Sequence, residues 1–199
     1  MDNFVILQQM VAIDRAQNRA ELRSSIQTLL RIIGSYTKSE RVYIFDKDES
    51  TGDFRNSYEW CAENVKPFIE DLQSVHPNDM PYWLNAFEQG DSVIIDDVND
   101  IKDIMPSEYR LLTLQNIRSE ISFPIFYKNE LRGFIGVDNP HIKGSESFLT
   151  LLGVVGGHLG NVRESLRMTE LLEQRNRSLE KSLMDIERDQ KFLSILSTD

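Results

Sequence analysis

From Glu146 to Asp199 one helical pattern runs almost without a breaker, longer than any helix a globule of this size can wrap around its own core. Within it Leu172, Asn176, Leu179, Leu183, Ile186, Gln190 and Leu193 alternate spacings of four and three, the seam of a coiled coil. An asparagine in such a seam costs stability but selects a parallel, in-register pair, because each copy must meet its twin. The spacing therefore predicts a homodimer joined through the C-terminal helix, the seam extending past anything left to cover it. Upstream, Leu152, Val155, Leu159, Val162, Leu166 and Thr169 keep the alternation. The next seam position is Glu173, yet the apolar residue is Leu172, an offset read as a stammer where two registers lie close in energy. Gly153, Gly156, Gly157 and Gly160 each cost up to about 1 kcal/mol against alanine in a helix interior. Close backbone approach at all four is the expected compensation.

The preceding residues must supply the globule. Asp2 to Ala16 has a weak helical pattern, and Asn18 with Glu21 forms a capping box ahead of Leu22, Ile26, Leu29, Leu30 and Ile33 on one helical face, with Gly34 as the expected stop. Arg41–Asp46 is apolar at consecutive positions, as in a central strand covered on both faces. Across the turn at Asp48–Asp53, Phe54–Cys61 alternates Phe54, Tyr58 and Trp60 against polar residues and completes a hairpin. Pro67–Val75 and Met80–Gln89 read as short helices, the second opened by Pro81 and closed by Gly90. A short strand at Ser92–Ile95, a polar loop to Ile104 and a helix over Pro106–Ile117 follow. Glu120–Tyr127 and Leu131–Asn139 form a second hairpin, with Pro124 requiring a bulge or an unpaired edge. This order predicts an α+β fold, an antiparallel sheet with helices on its faces.

Composition narrows the function. With 22 basic and 32 acidic residues the net charge is −10, the wrong sign for a nucleic-acid surface. No run of 18 or more apolar residues occurs, so no membrane span is expected, and Met1–Val11 lacks the layout of a signal peptide. The single Cys61 excludes an intrachain disulfide and a multi-thiolate metal site, and a cytoplasmic setting is expected.

The sequence LRGFIGVDNP at Leu131–Pro140, preceded by EISFPIFYKNE, resembles the closing hairpin of GAF domains. Arg41–Phe45 resembles the first GAF strand and Ser92–Val98 the third, so the likeness covers roughly Asn18 to Arg167. It implies a five-stranded sheet ordered 2-1-5-4-3 and a pocket between that sheet and the short helices near Pro67–Gln89. It also resembles the modules that precede PAS and GGDEF (cyclic-di-GMP-making) domains in bacterial sensors. The expected organisation is an N-terminal helical segment at 1–17, a sensor domain at 18–167 and a coiled-coil signalling helix at 168–199 leading to a downstream domain.

Phe45, Tyr58, Trp60, Phe68, Tyr82, Trp83, Phe87 and Phe123 are the candidate lining of that pocket, since aromatic concavities with a few polar groups hold small ligands. Rings that simply fill the core are the competing reading. Cys61 lacks the helix-loop histidine context of bilin-attaching GAF cysteines and reads as a half-buried thiol. The family's methionine-sulfoxide reductases need several cysteines, so that activity is not expected. His76, His141 and His158 have no metal spacing, and His158 is followed by Leu159 and Gly160 rather than by a phospho-acceptor motif. Asp46, Asp48, Ser50 and Gly52 imitate a calcium loop but put Thr51 and Ser57 where glycine and glutamate belong. Asp96, Asp97, Asp100 and Asp103 read as a solvated loop. No catalytic residue, metal or cofactor is expected. The sequence-level reading is a regulatory, small-molecule-sensing dimer controlling a GGDEF-type output. The alternatives are a purely structural dimerisation module with a self-filled pocket, or the input domain of a histidine kinase or transcription regulator.

Overall fold

In the computed structural model, residues 3–142 and 146–196 are described. Helices α1 (Asn3–Asp14) and α2 (Arg19–Thr37) lead into strands β1 (Arg41–Lys47) and β2 (Phe54–Cys61). Then come α3 (Pro81–Glu88), β3 (Val93–Ile95), α4 (Pro106–Leu114), β4 (Glu120–Tyr127), β5 (Glu130–Asp138) and α5 (Glu146–Leu196). The strands form one antiparallel sheet in the order β2-β1-β5-β4-β3. The α+β class and the strand order agree with expectation. None of the described helices is long and apolar enough to cross a membrane.

Local chemistry explains most boundaries. The Asn18 side chain accepts from Glu21 N at 3.0 Å, and the Glu21 carboxylate accepts from Gln17 N at 2.9 Å, fixing the start of α2. Gly34, expected to stop α2, does not; the helix ends at Lys38, in the left-handed region at φ 51. Gly34 is instead a seat for Trp60, whose ring lies 2.0 Å from where a Cβ would stand. Pro67–Val75, expected to be helical, forms turns and bends because its backbone groups are engaged by β2. Asn56 N donates to Leu72 O, Phe54 and Val75 exchange two bonds, and the Glu59 carboxylate accepts from Phe68 N and Ile69 N. Residues 62–80 thus form an irregular strap along β2. Pro124 brings both expected features: β4 is bulged between Ile125 and Phe126, and the three-residue β3 pairs only with residues 120–122.

A bulge between Ile44 and Phe45 decides which face each β2 side chain takes. Phe54 and Asn56 share a face with Tyr43 and Phe45. Past the extra residue, Ser57, the phase inverts, and Tyr58 and Trp60 pair with Ile44 and Val42 on the face covered by α2.

Residues Met1–Val162 and Arg163–Asp199 form two compact units. In the first, Leu152, Val155 and Leu159 of α5 are fully buried, and α5 lies on the backbone of β4. A Cβ on Gly160 would stand 2.2 Å from Phe126 O, one on Gly156 3.2 Å from Pro124 O, and one on Gly153 2.9 Å from the Phe123 ring. Gly157 is the exception to the expected close approach: it faces open space. Leu152, Val155 and Leu159 of the upstream alternation are therefore a stripe that α5 buries on its own domain. Spacings of three and four mark a stripe without saying what covers it. In the second unit Leu172, Leu179, Leu183 and Ile186 are each more than half exposed. The side chain of Leu193 lies outside the described residues.

Candidate functional site

The face of the sheet opposite α2 carries a core of rings. Phe134, near the middle of β5, stacks on Phe45 with centroids 4.8 Å apart and 3° between planes. Phe87, Phe54, Trp83 and Tyr43 surround it at 5.2, 5.7, 6.2 and 6.4 Å. Tyr43 can lie flat there because Gly136 opposite it has no Cβ; one would stand 2.3 Å from the ring. Over this layer a cavity opens, lined by Tyr43, Phe45 and Phe134 of the sheet and by Asn56 and Glu59 of β2. Leu72, Val75 and Met80 of the strap, Trp83 of α3 and Leu111 to Ile117 around the end of α4 close it. The room for the centre of a water molecule is about 20 Å³, enough for roughly one water.

Two polar atoms of this lining find no partner in the protein: Asn56 Oδ1 and Trp83 Nε1. Asn56 is 2% exposed and Trp83 3%. Buried donors and acceptors are almost always satisfied, and of the buried side-chain atoms without a protein partner these two, one acceptor and one donor, belong to the cavity lining. The Asn56 amide cannot turn round to relieve itself. Its Nδ2 donates to Glu59 Oε1 at 3.3 Å, and a carboxylate can only accept.

Beyond Tyr43 lies a buried row across three strands. Arg41 Nε donates to Asp138 Oδ2 at 2.9 Å, and Tyr43 Oη donates to Glu120 Oε1 at 3.2 Å. Arg41 also donates to Lys66 O of the strap at 3.3 Å and to Gln115 O at 3.1 Å, and its guanidinium lies 4.9 Å from the centre of the Phe68 ring. The Arg41 cation bonds one of the two fully buried carboxyls, Asp138, while Glu120 has the Tyr43 hydroxyl. Burial pushes Glu120 well above the usual carboxylate range, with the charge of Asp138 adding to it. Burial likewise raises Asp138 to about 6 against the pull of Arg41.

Of the eight aromatic residues expected to line a pocket, the structure brings Phe45 and Trp83 to the cavity wall. Phe87 lies beneath it, against Phe134. Tyr58 and Trp60 are corrected to the opposite face by the β2 bulge, Tyr58 lying under Arg23 and Trp60 on Gly34. Phe123 is corrected likewise, since its ring meets Gly153 of α5. Tyr82 is 47% exposed, and Phe68 sits at the sheet end between Arg41 and Lys66. Tyr43, Asn56, Glu59, Gln115 and Phe134 escaped the sequence reading. Phe134, apolar and central in a both-face-buried strand, carried the one signal that could have found it.

The remaining candidates have structural roles. Burial, with the nearby Glu59, pushes the Cys61 thiol up to about 12, far from a reactive thiolate. His76 Nδ1 accepts from Asn78 N at 3.1 Å and caps a short turn. His158 Nε2 is 3.1 Å from Met10 O and 3.3 Å from Asp14 Oδ1, which ties α1 to α5. Asp48 accepts from Ser50 and Thr51 and shapes the β1–β2 turn, and Asp97 caps the turn at Val98–Ile101. Among the described residues no group of three or more His, Cys, Asp or Glu side chains is placed to hold a metal.

Comparison with known proteins accords with this geometry. The model of the GAF domain matches residues 20–164. The methanogenesis regulatory histidine kinase FilI of Methanothrix harundinacea is 31% identical over 140 residues, 66% of this chain. The chain spans 15% of that relative's length. The phycocyanobilin-bound GAF domain of a cyanobacterial phytochrome superposes with a TM-score of 0.70 at 18% identity, covering 85% of this chain and 97% of that one. The blue-light-absorbing form of the Thermosynechococcus elongatus PixJ GAF domain gives 0.61 at 19% identity, covering 83% and 98%. At these identities the structural likeness is one of fold.

Proposed function

Since the chain belongs to the GAF domain family, we propose that it is the small-molecule-sensing and dimerising module of a signal-transduction protein. The observation that carries the reading is the cavity between sheet and strap, with a buried donor and a buried acceptor in its wall and no protein group for either. Leu72 and Val75 of the strap both bond β2 and line this cavity, so an occupant favouring one strap position would shift the population of the module's states. The occupied state then reaches α5 through the sheet, since Phe134 of the cavity wall lies on β5 and the neighbouring β4 carries α5.

The proposal includes a parallel homodimer along Leu172, Asn176, Leu179, Leu183, Ile186, Gln190 and Leu193. The exposure of Leu172 (58%), Leu179 (56%), Leu183 (60%) and Ile186 (53%) supports it, since such a run gains by finding a partner. A histidine kinase output has the FilI likeness in its support; a GGDEF output rests on resemblance alone. A cytoplasmic setting is part of the proposal, in keeping with a chain that has one cysteine.

One observation favours a second reading, a structural dimerisation module with a self-filled pocket: the cavity as it stands has room for about one water. Native mass spectrometry of the purified chain separates the two. A two-subunit species carrying a co-purified small molecule supports the sensor. A two-subunit species of bare mass supports the structural module, and single subunits at high concentration overturn both.

A further inference from the structure

The charge and hydrogen-bonding capacity of the cavity wall restrict what can occupy it. Among the described residues, no lysine, arginine or histidine lines it. Its single formal charge, Glu59, already accepts three hydrogen bonds. Glu59 Oε1 accepts from Asn56 Nδ2, and Oε2 accepts from Phe68 N at 2.9 Å and Ile69 N at 3.1 Å. An entering carboxylate or phosphate would lose its hydration, meet no counter-charge and face the lone pairs of Asn56 Oδ1. An ammonium, which can only donate, would leave Trp83 Nε1 without an acceptor. What remains is the complement of the two orphans: a group that donates to Asn56 Oδ1 and accepts from Trp83 Nε1, on a frame apolar enough for Phe45, Phe134 and Met80.

We propose that the cavity binds an uncharged small molecule of the carboxamide, lactam or urea class, admitted when the strap gives way, and that it rejects carboxylates, phosphates and amines. This rests on the reading of the cavity as the sensory site and narrows its ligand. The strap must move because the room available is about that of a single water, and Leu72, Val75 and Met80 on it belong to neither an α-helix nor a named strand of the sheet. The same polarity argues against cyclic nucleotides and against tetrapyrroles bearing propionates.

The test is ligand-observed NMR on the full 199-residue chain with isosteric probes: benzamide and nicotinamide, their acids benzoate and nicotinate, and benzylamine. The amides are expected to bind and the acids and the amine to bind at least about tenfold more weakly, the loss that follows from an unpaired buried charge. Asn56→Leu is expected to weaken the amides by about tenfold, and Trp83→Phe, which removes the donor together with part of the ring, to do the same if Asn56→Leu fails to fold. Acids binding as well as amides would overturn the ligand class and leave the sensory cavity standing. Amide binding unmoved by both variants would place the probes elsewhere and overturn the proposal. No binding by any of the five would overturn the ligand class, while the presence or absence of a co-purified mass decides the sensory reading separately.

Discussion

On the α2 and α5 side of the sheet, Val42, Ile44, Ile121, Ile135 and Val137 meet helices held close by Gly34, Gly153, Gly156 and Gly160, and aliphatic packing closes the layer. On the other side, rings gather around Phe134, the cover is a strap without regular secondary structure, and Asn56 and Trp83 keep unpaired polar atoms. The first face follows the rules of a stable core. The second departs from them in its cavity wall, where a buried acceptor and a buried donor both lack a protein partner.

Four substitutions or conditions can break or sharpen that contrast. The largest effect is expected from Phe134→Ala, which removes the ring that five others touch and should cost about 3–5 kcal/mol in urea unfolding. A cost below about 1 kcal/mol would mean that the strap side is not core at all. Next is Gly160→Ala, whose new methyl meets Phe126 O and should cost about 2–3 kcal/mol by the same measurement. An unchanged midpoint would show that α5 is not seated on β4.

The buried carboxyls give an effect of a few degrees. Asp138 has its folded pKa, about 6, above its ordinary value of 3.8, and Glu120 is raised as well. A carboxyl that binds its proton more tightly when folded contributes stability that is complete below the unfolded pKa and is lost as pH rises through the folded one. The melting temperature should therefore fall from about pH 4 to about pH 7. Glu120→Gln, a permanent copy of the neutral form, should flatten the slope and raise stability at the upper end. A slope of the opposite sign, or one untouched by the variant, would show that this pair does not titrate in the folded protein. The smallest effect is Gly157→Ala, which meets open space and should stabilise α5 by up to about 1 kcal/mol. A loss there would reveal a contact on the outer side of the helix.

The fold was legible wherever local chemistry and pattern agreed. Arg41–Asp46 read as a central strand because its run is continuously apolar, and Pro124 announced its own bulge. The site was less legible. Phe54, Tyr58 and Trp60 share one parity, and nothing local marks the bulge at Ser57 that sends the last two to the opposite face. The strap was read as helix because its spacing permits one. Its amides are taken by β2 and Glu59, partners that only the folded chain brings near. Asn56 and Glu59 are ordinary polar strand residues until burial gives them meaning, and the stripe from Leu152 to Leu159 looks the same whether a sheet or a second chain covers it.

Arg41 reaches Asp138, Gln115 and Lys66 at once, partners 97, 74 and 25 positions away along the chain. Until β5 has been synthesised and docked, that guanidinium has no counter-ion, and shutting it away from water would be heavily penalised. The nascent domain therefore cannot settle in halves as it leaves the ribosome. Its amino-terminal strands must wait for its last one, and the delay makes early, wrong closure of the sheet the less favourable course.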